Sequence, residues 1–537
     1  MLKGGLFMEI TQTELYNSII EYGAKGTKTK EVTQNILKEW RGSQTIKDMQ
    51  EAQAYLLVKN TTINYKSRSY KDENGLIVVN DNLTNTKSRT AQYRKSVKQK
   101  LNFAFAKPFI IRCNDEEYKE QWEKFLSVTV RKTIKRTGLN AINKGIGYIY
   151  AWINEKGELE LVDVIPETIY PAWKDTAHTE LDAIVRDFTI TEYVNQTAQD
   201  VRKVEFWDKE TVEKFIDYSM GEGVGGSLVP DIENVDELSN DMKENTTIIQ
   251  SHLVDGNGNG VGWGRVPFLF FKGNEEELPL LNECRDDIDN YDLLKSKALD
   301  GILDDIDAVL VIESIGAEMG ELTKARRMVQ NSRIVAVDPG GSVKFEKVDA
   351  NITATSSMLD IIRKDVQDDT NTVDLTTVKL GTNPSGKAMR VFYENLNEWA
   401  NGFESEFRDF MENLKYFFNM WLAWKGGYGT FEELQAKEIT FELNRDMIID
   451  ESDIFDNLVK MQDELSQQTK DEMNPWVENH EKEQKRRDDD LKRQQKESEL
   501  FKFNQDLEQH ELGYNGDDQN DNLDKQIVNK KPSPEQV

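Results

Sequence analysis

The chain is poor in the residues that most chemistry requires. Its 537 residues include two cysteines and four histidines. Cys113 and Cys284 cannot build a disulfide framework, and no paired Cys/His spacing points to structural zinc. The expected setting is therefore a reducing cytoplasm, with no metal and no cofactor. His178, His252, His480 and His510 are scattered through polar sequence without a Ser or Cys signature beside them, which leaves no nucleophile–base pair to propose. No segment reaches the roughly 18 uninterrupted apolar residues of a membrane span. The opening Met1–Glu9 turns acidic too soon for a secretory hydrophobic region. A soluble protein without a signal peptide or membrane partner is expected, and no fixed-period repeat suggests a solenoid or propeller. Basic charge is the other deficit: 68 Lys plus Arg stand against 97 Asp plus Glu, a net charge of −29. A broad basic face for wrapping nucleic acid is excluded, because each neutralised phosphate needs a cation. Any nucleic acid handled by this chain is expected to be held loosely.

Aromatic residues are not lacking. With 10 Trp, 17 Tyr and 23 Phe there is enough to fill several cores, and the length suggests about three or four domains. Apolar residues recur at helical spacing from Thr11 to about Lys59, and Arg89 to Phe103 reads as a basic helix with Arg94, Lys95, Lys98 and Lys100 on its wet face. Tyr118 to Asn140 reads as one helix. Ile146–Ile153 and Leu159–Ile165 alternate with period two around a turn at Glu155-Lys156-Gly157, and Ala183–Phe188 and Val204–Trp207 continue the β pattern. An α+β domain over about residues 30 to 275 follows, with Gly221–Asn245 as an exposed loop.

Next comes a helix from about Pro279 to Ile306. Leu281, Cys284, Ile288, Tyr291, Leu294, Ala298, Ile302 and Ile306 step by three or four along it, and its opposite face is acidic. A small insertion is expected after it: strand Ala308–Glu313, helix Glu321–Asn331, strand Arg333–Val337, then strand Ser342–Val348. Ser356–Thr370 is helical, Asp374–Lys387 a polar loop, and Ala388 to about Lys425 the longest helix, striped with Phe and Trp. A strand at Glu438–Leu443 precedes more helix from Ser452. Asn474-Pro475 is read as the start of a charged helix through Glu497, and the tail from Asn515 as disordered.

Three stretches imitate chemical motifs. Gly381-Thr382-Asn383-Pro384-Ser385-Gly386-Lys387 fits a phosphate-cradling loop before a helix, but Ala388 stands where Ser or Thr would hold Mg²⁺ and Leu375–Leu380 makes a poor buried strand. A flexible loop leading into a helix is favoured. Asp255–Gly260 satisfies the first half of a calcium loop, yet the twelfth place is Val266, so a hairpin or loop tip is favoured. Asp286, Asp287, Asp300, Asp304, Asp305 and Asp307 are read as a solvated acidic face rather than a two-metal cluster. The charge-alternating run Glu481–Glu497 is read as a solvated or coiled-coil face.

The order of these elements resembles the portal proteins of tailed double-stranded DNA bacteriophages, over about residues 35 to 500. The resemblance is carried by Tyr93–Val97 through Ala106-Lys107-Pro108, and by Ile146–Tyr150 with Val164-Ile165-Pro166. Gly264–Phe268 followed by the Leu280–Leu303 helix also carries it, as do Ser385–Ala388 opening an aromatic helix and Leu465–Thr469 leading to Asn474–Val477. It implies an α+β ring subunit built from an arm (1–29), a wing (30–278), a first stem helix (279–306), a clip (307–350) and a second stem helix (351–373). After these would come a tunnel loop (374–387), a long kinked wing helix with its return strand (388–449), a helical crown (450–505) and a disordered acidic tail (506–537).

The resemblance further implies a homo-oligomeric ring, typically dodecameric, at one capsid vertex of the virion, assembled in the host cytoplasm. Genome DNA would be packaged through it by the terminase and later ejected, without base preference and without catalytic residues in this chain. Lys379, Asn383, Ser385 and Lys387 would face DNA from the tunnel loop. Leu281, Ile288, Tyr291, Leu294 and Ile302 would pack the stem, with neighbouring subunits completing the stripe. Lys324, Arg326 and Arg327 would form a basic clip patch for partners. Those partners would include the terminase large subunit, the major capsid and scaffolding proteins, and a head–tail adaptor. The alternatives are a terminase-like packaging ATPase or nuclease, and an adaptor without a channel role.

Overall fold

The computed structural model describes residues 27–71, 76–79, 84–194, 197–217, 228–231, 249–254, 258–304, 308–313, 342–347, 352–373, 393–445, 460, 466–474, 477 and 480–512. They fall into two compact units, Met1–Asn383 with Val391–Met447, and Pro384–Arg390 with Ile448–Val537.

In the first unit the alternating segments Ile146–Ile153 and Leu159–Val164 pair as the expected antiparallel hairpin. Asn154 Oδ1 accepts from the backbone of Lys156 and Glu158, and Gly157 takes the left-handed conformation that the tight turn demands. Phe268–Lys272 pairs with the free edge of Ile146–Ile153, making a three-stranded sheet. The later β segments do not continue this sheet. Ile169–Trp173, Leu181–Val194, Thr197–Trp207, Thr211–Asp217 and Leu228–Pro230 form a second antiparallel sheet, which Ile249–Ser251 joins at Thr211–Asp217. The switch between sheets occurs at the 3-10 turn Pro166–Thr168. Arg41 fastens the second sheet to the Thr27–Arg41 helix, reaching Asp187 at 2.9 Å and Asp217 at 2.8 Å, while Arg202 within the sheet holds Asp187 at 2.7 Å.

Helices cover the three-stranded sheet. The expected single helix Tyr118–Asn140 is two, Glu116–Phe125 and Val128–Lys144, because Ser127 leaves helical geometry and caps the second by accepting from Val130 N. Gly145 ends that second helix at φ +86°, where a Cβ would lie 2.0 Å from the Glu277 carbonyl oxygen. The long helix is Glu394–Lys425, about 48 Å at 1.5 Å per residue; its expected start at Ala388 lies outside the described residues. Its stripe of Phe403, Phe407, Phe410, Leu414, Phe417 and Trp421 is buried. Phe271 of the sheet meets Phe403 and Phe410, and Trp122 lies 4.1 Å from Phe418, centre to centre. The strand Ile439–Glu442 returns to pair with Ile110–Cys113.

The Gln92–Ala104 helix forms, and Arg94, Lys95 and Lys98 are exposed. Lys100 is not on the wet face: it is buried on the stripe Tyr93, Val97, Lys100, Ala104. Leu253–Val254 and Gly260–Val261 pair antiparallel, so Gly258 and Asn259 belong to a hairpin end; Asp255, Gly256 and Asn257 lie outside the described residues. Ala308–Glu313 pairs with Ser342–Lys347, and the helix and strand expected between them lie outside the described residues, as does the Gly221–Asn245 loop apart from Leu228–Asp231.

In the second unit Ser466 caps the Gln467–Met473 helix, and Asn474 closes that helix rather than opening the next. The charged helix is His480–Leu512, so residues 506–512, expected in a disordered tail, are helical. Its side chains from 482 to 504 are mostly exposed, in keeping with a solvated face. Asp471 ties the two helices, accepting 2.7 and 2.6 Å bonds from Arg487 and contacting His480 Nδ1 at 3.1 Å. Among the described residues no helix is long and apolar enough to cross a membrane.

Candidate functional site

The Leu281–Asp304 helix was expected to carry one apolar stripe along its length. Its inward face does step by three or four, but its chemistry changes halfway. Leu281, Cys284 and Ile288 enter the main core, whereas the next inward positions are Asp292, Ser296 and Asp300, each at most 1% exposed. These polar groups receive the segment from Asn60 to Thr90. Asn60 Nδ2 donates to Asp292, Ser88 N to Ser296 Oγ at 2.9 Å, and Thr86 N to Asp300 Oδ1 at 2.6 Å. The Lys66 ammonium pairs with Asp300, and Arg68 lies 3.5 Å from it. The helix is thus fixed at one end by apolar burial and at the other by a polar latch. Asp300 is corrected from a solvated residue to the centre of that latch. Asp286 is exposed and Asp287 half-buried, and among the described residues no group of three or more His, Cys, Asp or Glu could hold a metal.

The Ile352–Asp369 helix packs along the first. Partial burial, with Asp369 hydrogen-bonded to it and Asp365 and Asp286 nearby, raises the Asp287 carboxyl above the usual carboxylate range. The paired helices therefore present an acidic edge. They also expose Ile302, Leu303, Met358 and Ile361, each at least half accessible. At the end of the second helix the Thr370 hydroxyl donates to Val366 O, and Ser96, Thr370 and Thr372 share hydroxyl bonds. Gln99 then brackets Val373, donating to its carbonyl at 3.0 Å and accepting from its amide at 2.9 Å. Where the described chain resumes, Tyr393 stacks on Phe103, centroids 6.1 Å apart. Both ends of the 374–392 segment are therefore held by one helix, at positions a turn apart. No local pattern in the chain signals this, since the two contacts join residues some 270 to 290 apart. Gln99→Ala is expected to cost about 1–3 kcal/mol for two lost hydrogen bonds and to speed amide exchange at Thr372 and Val373. Unchanged exchange there would show that Gln99 is not the anchor.

A profile of the family described as "Phage portal protein, SPP1 Gp6-like" matches residues 38–497. The chain belongs to that phage portal family. Among its relatives, the "Portal protein" of Bacillus phage SPP1 is 25% identical over 485 residues, covering 90% of each chain. The "Portal protein" of Clostridium phage phiCD119 is 23% identical over 332 residues, covering 59% of this chain and 67% of its own. A solved chain titled "Neck of native GTA particle computed with C12 symmetry" aligns over 72% of this chain and 89% of its own at 10% identity, TM-score 0.32.

Against the portal plan, the described structure separates the expected site residues. Leu281 and Ile288 are core residues of this subunit, correcting the expectation that neighbours would complete the whole stripe; Tyr291 and Leu294 are half-buried, and Ile302 is 56% exposed. Lys379, Asn383, Ser385 and Lys387 lie outside the described residues, as do Lys324, Arg326 and Arg327. Sequence reasoning missed Asp292, Ser296, Asp300, Gln99 and Lys100. For the first three a signal existed: continuing the step from Leu281, Cys284 and Ile288 by fours arrives at them.

Proposed function

We propose that this chain is one subunit of the ring at a phage capsid vertex, through which double-stranded DNA is packaged and later ejected, and which joins head to tail. The observation that carries this reading is the family match over residues 38–497, which includes both packed helices and everything between them. The acidic edge of the helix pair suits a channel wall, because fixed carboxylates repel phosphates and keep passing DNA from sticking. The exposed apolar residues on the same helices suit packing against neighbours. In this reading Leu281 and Ile288 hold the stem (279–306 and 351–373) to its own wing, while Tyr291, Leu294 and Ile302 face the next subunit.

The remaining assignments follow the family plan. Residues 30–278 form the wing, 307–350 the clip, 388–449 the long wing helix and return strand, and 450–505 the crown. Lys379, Asn383, Ser385 and Lys387, in the loop 374–387, would touch backbone phosphates weakly and without base preference. Lys324, Arg326 and Arg327 would dock the terminase large subunit and later the head–tail adaptor, where charge complementarity sets encounter rate and register. Capsid and scaffolding proteins would surround the ring in the host cytoplasm during assembly. A separate motor would hydrolyse ATP, so no catalytic group or cofactor is assigned to this chain.

Electron micrographs of the purified protein, with mass photometry, test the proposal. Closed rings with a central opening and a mass near twelve subunits are expected, with no ATP turnover by the protein alone. Monomers or open aggregates under all assembly conditions would overturn it, and saturable ATP hydrolysis lost in Lys387→Ala would move support to a packaging motor.

A further inference from the structure

Two cavities of about 760 and 490 Å³ lie side by side along the Glu394–Lys425 helix and share Glu275, Glu276 and Glu406 in their walls. On the helix they run from Asn395 through Glu398, Gly402, Glu406 and Asp409 to Asn413, residues three or four apart on one face. The span is about 27 Å at 1.5 Å per residue, and the opposite wall is the Gly273–Leu280 loop, joined in the larger cavity by Thr176–Thr179 and Lys272. The result is one groove lined by eight carboxylates against two ammonium groups, Lys100 and Lys272, the latter 3.3 Å from Glu277, so its walls are net negative. Such a groove concentrates cations and rejects polyanions.

Acidic walls alone identify no ligand, but the floor adds an independent feature. Lys100 lines the smaller cavity at 1% exposure. Among the described residues it has no hydrogen-bond or ion-pair partner; its ammonium lies over the Trp399 ring, 4.8 Å from the centroid. Burial lowers its pKa to about 8, with Glu283 at a distance opposing the shift. An unpaired buried ammonium is costly, and an apolar side chain of similar length would serve packing better. A cation kept at the bottom of an acidic groove fits an occupant of mixed charge.

We propose that this groove docks a basic peptide segment of a partner protein that carries one carboxylate side chain, its basic residues meeting the groove's glutamates and its carboxylate reaching Lys100. The length suits about eight extended residues at roughly 3.3 Å each. Duplex DNA is excluded by the same charge that attracts the peptide. Neither the ring nor the channel is needed for this reading, so it stands or falls apart from the proposed function.

The test uses the full chain and a fluorescein-labelled peptide of Lys and Arg, about eight residues long, with a single central Glu, alongside its Glu-to-Gln counterpart. Fluorescence anisotropy should show saturable binding that weakens with salt, and the Gln peptide should bind roughly tenfold more weakly, the loss of one charge-assisted hydrogen bond. Lys100→Met should abolish the difference between the peptides while both still bind. Glu398→Gln with Glu406→Gln should weaken both peptides alike. The peptide comparison alters nothing in the protein, so it does not depend on any variant folding. Equal affinities for wild type, a difference that survives Lys100→Met, or no saturable binding would each overturn the proposal.

Discussion

Asp300→Leu is expected to lose about 3–5 kcal/mol of stability, the range for removing one partner of a buried ion pair. The substitution would leave the Lys66 ammonium, only 5% exposed, without its counter-charge. It would also remove the acceptor of the Thr86 amide and the carboxylate that Arg68 approaches. Asp300→Asn keeps an oxygen for Thr86 but gives up the charge, so an intermediate loss is expected. Urea denaturation measures the loss, and amide exchange over residues 84–90 reports whether the segment has come off the helix. A leucine variant within about 1 kcal/mol of wild type would show that Asp300 does not hold the latch. Its pH dependence has a defined sign. Burial tends to raise this carboxyl, but the Lys66 ammonium and the Thr86 amide outweigh it and hold it below the usual range. The contribution is therefore present above the unfolded carboxylate pKa, about 3.9, and is lost as pH falls through the lower folded value.

That latch also shows where sequence reading succeeds and where it stops. Periodicity located the Leu281–Asp304 helix because three-and-four spacing is a local property. Steps of four from Ile288 do reach Asp292, Ser296 and Asp300, but what turns these polar residues inward is the Asn60–Thr90 segment, more than two hundred residues earlier in the chain, and local spacing carries no trace of it. A stripe drawn through Tyr291, Leu294 and Ile302 is equally periodic and more apolar, but it lies on the half-buried and exposed side of the helix, not on the face turned into this subunit. Lys100 is a similar case. Tyr93, Val97 and Ala104 mark the buried stripe of its helix, and Lys100 stands on it, yet its charge alone placed it in water.

The sheets divide along the same line. The hairpin at Glu155–Gly157 was legible from alternation and turn chemistry, whereas the handover from one sheet to the other depends on Ile169–Trp173 finding Leu181–Val194 and on Phe268–Lys272 finding Ile146–Ile153. The family resemblance was legible because it rests on the order of many elements, and that order does not depend on which face of one helix turns into the subunit.

Asp292→Asn is expected to stabilise the protein above pH 7 and to flatten its stability between pH 5 and 7. Asp292 is fully buried, its Oδ2 accepts from the Asn60 amide, and both Asp292 Oδ1 and Asn60 Oδ1 are buried without a partner. Desolvation raises its pKa to about 7, although the Asn60 and Thr90 hydrogen bonds oppose the shift. A protonated carboxyl acts as a donor, which is what an orphaned acceptor beside it requires. Because the folded pKa lies above the unfolded one, this group's stabilisation is fully present below the unfolded value and is lost as pH rises through about 7. One such group gives a slope of at most about 1.4 kcal/mol per pH unit. Asparagine supplies a permanent donor in place of the proton, so the variant should keep at pH 8 the stability that wild type has only in acid. Asp300 on the same face responds with the opposite sign, and a double variant separates the two contributions, since the Asp300 effect is confined to strongly acid solution. Denaturation midpoints measured from pH 5 to 8 decide the matter: parallel curves for wild type and Asp292→Asn would mean that Asp292 is ionised throughout, and that the latch tolerates a buried charge.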